Sequence, residues 1–401
     1  MKLSKKQLSV LPLAVFLIYM TIYNSSFKLV FVSRFWQYLV YGMYIVLYTL
    51  FILQQVGQTQ KVKQWLYLFV LSILMFFYLG KGNLNVAIIF LLGLYTINIM
   101  DVRLVLKVYL VSFFIACVVV IGLVVLKVLP IYEAKYGLLA IGFRNPNTTG
   151  FYCACMVIMH WTLNWSKLSL INWCEIPAAI VLLLMLEDFT ALLLIVLVIL
   201  MKAGSPVLVH FLRSRWFSYG LVLLPVIFFG VCLWIGHNFN NYPFLSQLND
   251  IFTSRPSIWN YYLANYQMNL FGNQLADVVL TGVNWTVGRG AFDGEFIFFP
   301  IINGLLAFVS TIGLLMVAFK KIIWHRQYAL LALFLIYLIS GISENQLLIP
   351  YQCPVAVLMV LICYPEFSFE RKSDDVKEED YDCDWADGRS RRRRKRNYEF
   401  Y

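Results

Sequence analysis

The chain is poor in charge and in histidine. Only 13% of its 401 residues are charged, 61% are apolar, and there are 4 histidines. So little charge cannot cover a soluble protein of this size, and long uncharged apolar runs are typical of membrane spans. The cysteines lie mostly inside those runs without zinc-ligand spacing. We therefore expect them to be small core residues, and neither a metal nor a cofactor is indicated.

Acidic residues are especially scarce before the C-terminal tail. Residues 366–401 hold 11 of the 21 acidic and 10 of the 32 basic residues, which leaves residues 1–365 with a net charge of +12. Basic cytoplasmic loops explain this excess, so no nucleic-acid partner is implied. The tail, 366–401, is expected to be disordered, and its run Arg391–Arg396 to contact anionic lipid head groups or only to enforce topology.

The apolar runs predict an all-α polytopic membrane protein whose transmembrane domain covers residues 1–365. Leu8–Tyr23 follows a basic start without a small-residue cleavage site and is expected to stay attached as the first span. Glu187 and Asp188 interrupt a run that is too long for one upright helix, so they predict a turn between two helices. The predicted spans lie at about 8–24, 35–53, 65–80, 84–100, 104–128, 149–165, 171–186, 188–201, 216–236, 296–319, 327–343 and 347–364.

The distribution of Lys and Arg favours twelve spans over eleven. With twelve, 14 basic residues before the tail lie on the cytoplasmic side and 8 outside; with one fewer, the counts become 10 and 12. The positive-inside rule then predicts cytoplasmic N- and C-termini. One large outer loop is expected at about 237–295. In it, Trp259, Tyr262 and Tyr266 have helical spacing, which predicts a helix that lies at the membrane interface or packs on the bundle.

Eight of the ten acids before the tail fall on the outer side of this topology, together with three arginines. Ordinary topology explains part of this, because acids are not excluded from the outside. The alternative is an outward-facing site. There, a planar guanidinium suits phosphate and a carboxylate suits proton abstraction from a hydroxyl.

Four segments resemble motifs of the Wzy-type surface polysaccharide polymerases, which are related to the O-antigen ligases. These are Gly142–Asn147, Thr253–Trp259, Asp293–Phe296 with Gly304 after it, and Ser343–Glu344 before the last span. Two departures stand out. Gly294 replaces an Asn of the family pattern, and Glu187–Thr190 replaces a Ser-Arg-Thr segment, which puts an active role of that turn in doubt.

The resemblance implies a GT-C-like helical bundle in a bacterial inner membrane. It implies a metal-independent, inverting glycosyltransferase that joins polyprenyl-pyrophosphate-linked oligosaccharide repeat units into an O-antigen, capsule or exopolysaccharide. Membrane lipids and a chain-length regulator are the expected partners. Among the implied catalytic residues, Arg144 and Arg255 hold the leaving pyrophosphate. Asp293 is the general base or the group that orients the acceptor, with Glu344 and Glu295 as its substitutes. The implied substrate-binding residues are Asn145, Asn147, Arg289, Glu295 and Trp259.

Simpler roles for the same residues stay open. Arg144 would anchor its loop at the head groups, Arg255 would pair with Asp250, and Asp293 would cap the helix that begins near Phe296. Other functions stay open as well: a ligase of the same family, a polysaccharide flippase or other transporter, and a non-catalytic assembly protein. A transporter should show paired halves or broken helices in matching places.

Overall fold

The computed structural model describes residues 5–31, 34–56, 59–133, 137–252, 254–273 and 293–369. Within these ranges the regular secondary structure is helical, with two isolated β-bridges beside it. The described residues from 5 to 367 belong to one compact unit. Arg289 and the tail beyond residue 369, including its basic run, lie outside the described residues.

The described part of the chain folds into helices of very different length. In chain order the described ones are α1 (Lys5–Tyr23), α2 (Phe27–Val30), α3 (Arg34–Gln55), α4 (Val62–Gly80), α5 (Leu84–Ile97), α6 (Val102–Val125), α7 (Pro146–Leu163), α8 (Leu170–Met185), α9 (Phe189–Ala203), α10 (Ser205–Phe211), α11 (Arg215–Asn238), α12 (Pro243–Ile251), α13 (Arg255–Asn265), α14 (Glu295–Trp324), α15 (Tyr328–Ser343) and α16 (Val355–Cys363).

Several helices have the length and composition of membrane spans. Five of the described helices are long and apolar enough to cross a membrane, and six if α9 and α10, which meet at a 67° bend, form one span. Others are shorter: α5 has 14 residues and α16 has 9, against about 20 for a straight crossing. The fold is thus that of an all-helical membrane protein, and the count of twelve spans stays a prediction.

The run 171–201 forms two helices, as its two acids predict. α8 ends at Met185 and α9 begins at Phe189. Glu187 adopts a φ of 56° in the turn between them. Asp188 then starts α9, because its Oδ1 accepts a hydrogen bond from the Ala191 amide at 3.0 Å. Only Glu187 is exposed, however; Asp188 turns into the protein and is buried.

The centre of the compact unit is built from helices that are apolar on every side. Residues 86–97 of α5 and residues 355–362 of α16 are buried, as expected for helices with no polar face. The two helices approach closely at Gly93, where a Cβ atom would lie 2.5 Å from the Val360 side chain. A glycine at this position therefore permits the contact on which the centre is packed.

The outer helices expose large apolar side chains. α3 and α4 bury one stripe each and present the rest of their surface outward. A soluble protein rarely exposes an apolar area of this extent, whereas hydrocarbon chains cover it without cost. These faces are therefore the lipid-facing surface of the bundle. Their exposed residues include Phe35, Tyr38, Ile45, Leu53, Trp65, Leu66 and Phe69.

Helix α14 is broken at Gly304, and residues 269–273, in the middle of the large loop, fill the break. Gly304 has φ 88° and ψ 161°, a conformation open almost only to glycine. The amides of Leu305 and Leu306 donate to the carbonyls of Asn269 and Leu270 at 2.9 and 3.0 Å. The helix therefore loses its own hydrogen bonds here and receives replacements from residues 269–273, so the break leaves these backbone groups satisfied.

We expect Gly304→Ala to destabilise the protein. At this φ and ψ an alanine would be strained by about 1–3 kcal/mol, and its Cβ would lie 2.4 Å from the Gly272 nitrogen. The thermal unfolding midpoint in detergent should fall. Gly313→Ala, in the same helix with open space around it, should leave the midpoint unchanged or raise it slightly, because alanine favours a helix interior over glycine. Equal midpoints for the two variants would contradict this description of the break.

Candidate functional site

Three of the four residues implied as catalytic meet in one buried ion cluster, which we define as Arg255, Asp293 and Glu344. The Arg255 Nη2 atom lies 3.0 Å from Glu344 Oε1 and 3.2 Å from Asp293 Oδ2. Its Nε donates to the Ser343 carbonyl oxygen at 3.1 Å. One guanidinium therefore joins the start of α13, the approach to α14 and the end of α15.

Local backbone geometry delivers each member of the cluster. Ser254 has a φ of 68°, which turns the chain into α13. Its side chain makes no capping bond; instead, the Asn249 Oδ1 atom accepts from the Ser257 amide at 3.0 Å. α13 packs on α11 and α14 and buries Trp259 and Tyr262, so the aromatic helix is part of the bundle. It ends at Asn265, since Tyr266 is extended, and Tyr266 therefore does not continue the helix as its spacing predicts.

The Trp259 indole rests directly on Gly294. Its Nε1 donates to the Asp293 carbonyl oxygen at 3.2 Å. Gly294 has a φ of 92°, and a Cβ atom there would lie 2.2 Å from that same indole nitrogen. The positive φ and the indole contact explain why a glycine, and not the Asn of the motif, is present at position 294. The close contact of Trp259 with the backbone fixes the peptide that carries Asp293.

Asp293 has the most exposed side chain of the ion cluster. Its side chain is 27% exposed, against 8% for Arg255 and 7% for Glu344. It does not cap a helix at Phe296, because α14 begins at Glu295 with Gly294 as its uncapped N-cap residue. Arg255 pairs with Asp293 and Glu344, so the alternative of a simple pair with Asp250 does not describe it.

Two carboxylates share one guanidinium, so the cluster cannot be neutral with both acids ionised. Burial raises the pKa of Asp293 and of Glu344, and the Arg255 charge opposes both shifts. The charges of Asp293 and Asp188 raise the pKa of Glu344 further. Such a pair holds one proton to higher pH than an isolated carboxyl does. Asp293 is the better solvated of the two and therefore keeps its charge more readily than Glu344.

The turn between α8 and α9 borders the ion cluster. Asp188 interacts electrostatically with Arg255, and the Thr190 side chain hydrogen-bonds to Glu344. Asp188 also packs on α7, since a Cβ atom at Gly150 would lie 2.2 Å from its Oδ2. The Glu187–Thr190 segment, whose departure from the motif argues against an active role, therefore borders the ion cluster with its second half. An acid within an apolar stretch was the available signal for Asp188.

Two further implied residues have structural contacts. Glu295 is buried, its Oε2 accepts from the Leu348 amide at 3.4 Å, and its own amide donates to the Glu344 carbonyl oxygen at 3.2 Å. Asn145 Oδ1 caps α7 by accepting from the Thr148 amide at 2.7 Å. Asn147 lies partly exposed on the first turn of α7.

Arg144 stands apart from the ion cluster. It interacts electrostatically with Tyr23, Tyr351 and Lys28, and it forms none of the ion pairs found among the described residues. Its Nε atom is buried and makes no hydrogen bond in the described part of the chain. The resemblance assigns Arg144 and Arg255 to one site, whereas the fold places them in different surroundings. Arg255 lies among carboxylates, and Arg144 lies beside another cation, Lys28.

Comparison with known proteins identifies no relative. No protein-family model matches the chain, and neither a curated protein nor a solved structure matches it. In the described residues, no group of three His, Cys, Asp or Glu side chains is arranged to hold a metal ion. The site consequently defines a class, an all-helical membrane protein with a buried ion cluster at its helix ends, and its activity is argued from its chemistry.

We expect Arg255→Gln to destabilise the protein, because it leaves two buried carboxylates without their cation. Breaking a buried pair in this way costs about 3–5 kcal/mol. The folded variant then holds protons that the unfolded chain releases, since its carboxyl pKa values rise further. Its stability should therefore fall as pH rises from about 5 to about 8. Thermal unfolding of the variant and the wild type at both pH values measures this difference.

Arg213→Gln is the matched control, because Arg213 is an exposed cation in the connection between α10 and α11. It should unfold as the wild type does at each pH. A deficit of Arg255→Gln that stayed constant or shrank with rising pH would contradict the shared proton in the cluster.

Proposed function

We propose that this protein polymerises lipid-linked oligosaccharide repeat units by inverting glycosyl transfer on the outer face of a bacterial inner membrane. The observation that carries the proposal is the ion cluster. A partly exposed carboxylate, Asp293, is held at 3.2 Å by a buried guanidinium whose other partner is the buried Glu344. A base fixed in one orientation and open on one side suits proton abstraction from a bound hydroxyl.

The proposed reaction has one proton transfer and one substitution. Asp293 accepts the proton of a sugar hydroxyl on the acceptor repeat unit. The resulting oxygen attacks the anomeric carbon of the donor, whose bond to the phosphate oxygen breaks with inversion. Polyprenyl diphosphate then leaves with the bonding electron pair. Glu344 would hold the proton shared in the cluster and so keep Asp293 as the ionised partner.

Arg255 is better suited to position Asp293 than to bind the pyrophosphate. The resemblance implies a phosphate contact, but this guanidinium already faces two carboxylates and the Ser343 carbonyl oxygen. Its positive charge is thereby offset, and a further anion would be repelled by the two acids. We therefore assign to Arg255 the orientation of the base, and to Trp259 the fixing of its peptide.

The proposed topology has twelve crossings, both termini in the cytoplasm and a GT-C-like bundle. The shorter apolar helices Ser9–Tyr23, Leu84–Ile97, Leu170–Met185 and Tyr328–Ser343 support more crossings than the long helices alone supply. The excess of Lys and Arg on one side of this arrangement supports its orientation. In it, the ion cluster faces outward, where lipid-linked repeat units are available.

A flippase or other transporter is the second candidate, and the broken helix α14 favours it. Transporters place discontinuous helices at their substrate and ion sites, where freed backbone groups bind the cargo. At Gly304, however, the chain's own residues 269, 270 and 273 take up those groups. The break is thus already filled, which weakens this candidate relative to a glycosyltransferase.

Deletion of the gene, followed by sizing of the lipid-linked glycan, tests the function. A polymerase deletion should leave single repeat units on lipid at the outer face. Long chains that remain on lipid would instead indicate a ligase, and units held at the cytoplasmic face a flippase. An unchanged glycan profile would refute all three functions.

Asp293→Asn tests the role of the base. Losing a general base typically lowers a rate by about 10²–10⁴-fold, so polymer should disappear while the abundance of the protein stays normal. Asp250→Asn is the matched control, since Asp250 is an exposed acid in the same loop on α12. Normal polymer in Asp293→Asn would remove Asp293 from the mechanism.

A further inference from the structure

A short backbone pairing brings two cations from distant parts of the chain together. The Ser26 amide donates to the Gly142 carbonyl oxygen at 2.9 Å, and the Ser26 hydroxyl donates to the Phe143 carbonyl oxygen at 2.8 Å. Lys28 follows Ser26 by two residues on α2, and Arg144 follows Phe143 directly. The pairing therefore fixes the segment before α7 beside the connection that follows α1.

The two cations are half-buried, and neither forms an ion pair with an acid in the described part of the chain. Burial lowers the pKa of Lys28, and the neighbouring Arg144 charge lowers it further. Among the ion pairs of the described residues, none joins either cation to a carboxylate. Two like charges that are partly removed from water repel each other, and a bound anion would offset this cost.

The surroundings supply further groups for an oxyanion and a surface for a lipid chain. The buried Nε of Arg144 makes no hydrogen bond with the described residues and is a donor without an acceptor. The Lys28 Nζ lies 5.1 Å from the centre of the Tyr23 ring, and Tyr351 is close enough to Arg144 to interact with its charge. Val30 on α2 and the following Phe31 are 49% and 40% exposed, so exposed apolar side chains lie within three residues of Lys28.

We infer that Lys28 joins Arg144, for which the resemblance implies a pyrophosphate contact, in one anion site that binds the diphosphate group of the lipid-linked substrate. Each cation alone would be an ordinary surface charge, whereas the pair matches a group with two adjacent phosphates. Lys28 thereby becomes a binding residue that the motifs do not indicate. The identity of the ligand rests on the proposed function; the site itself rests on the unpaired cations.

Binding to the purified full-length protein in detergent tests the site. The probes are polyprenyl diphosphate without sugar, inorganic pyrophosphate, and the uncharged polyprenol as a lipid without phosphate. We expect the wild type to bind polyprenyl diphosphate, and pyrophosphate to compete with it. Lys28→Gln and Arg144→Gln should each weaken binding by about tenfold or more, because each removes a charge-assisted contact.

Two variants separate charge recognition from damage to the fold. Lys28→Arg keeps the charge and should bind nearly as the wild type does. Lys127→Gln removes an exposed lysine at the end of α6 and should have no effect. The site is overturned if folded Lys28→Gln binds polyprenyl diphosphate as tightly as the wild type, if polyprenol binds equally well, or if the wild type binds neither phosphate probe.

Failure of the site and failure of the function give different results. Weakened diphosphate binding in Lys28→Gln, together with an unchanged glycan after gene deletion, would sustain the anion site and reject the polymerase. Unchanged diphosphate binding in Lys28→Gln, together with single repeat units after gene deletion, would sustain the polymerase and reject the site.

Discussion

The arrangement of the helix ends depends on one buried guanidinium. Arg255 reaches from α13 to Asp293 before α14 and to Glu344 after α15, and its Nε bonds the backbone at Ser343. A buried charge is tolerated only when it is paired and hydrogen-bonded, so none of these segments can move away alone without leaving a charge exposed to an apolar interior. The large loop is thereby attached to the bundle at the place where its chemistry would occur.

The ion cluster and the cation pair have opposite electrostatic character. Asp293, Glu344 and the adjacent Asp188 lie around a single arginine. Arg144 and Lys28 are close enough for their charges to interact, and neither takes part in an ion pair among the described residues. Opposite charge at the two places suits the proposed reaction, which takes a proton from one substrate and releases an anion from another. The excess of carboxylates around Arg255 would repel a phosphate. The excess of positive charge at Arg144 and Lys28 would lower the pKa of a carboxylate there and so weaken it as a general base.

The apolar runs, and the charged residues between them, allowed much of the helical structure to be predicted. The runs 35–53, 104–128 and 188–201 correspond to α3, α6 and α9, and Glu187 with Asp188 marks the turn before α9. The break at Gly304 could not be predicted, since a glycine within an apolar run carries no sign of an approaching loop. The pairing of Ser26 with Phe143 joins residues 117 positions apart. Such a contact leaves no local pattern, which is why Lys28 could not be assigned from the sequence.

The return of the large loop onto the bundle has an evolutionary consequence. Asn273 donates through its backbone amide to the Ile301 carbonyl oxygen, and Asp293 is held by Arg255. The chain is therefore anchored to the bundle at residue 273 and again at residue 293. For a loop between two fixed ends, doubling the length costs only about 0.6 kcal/mol of closure entropy. Insertions and deletions between two such anchors would therefore leave the carboxylate in place at little energetic cost.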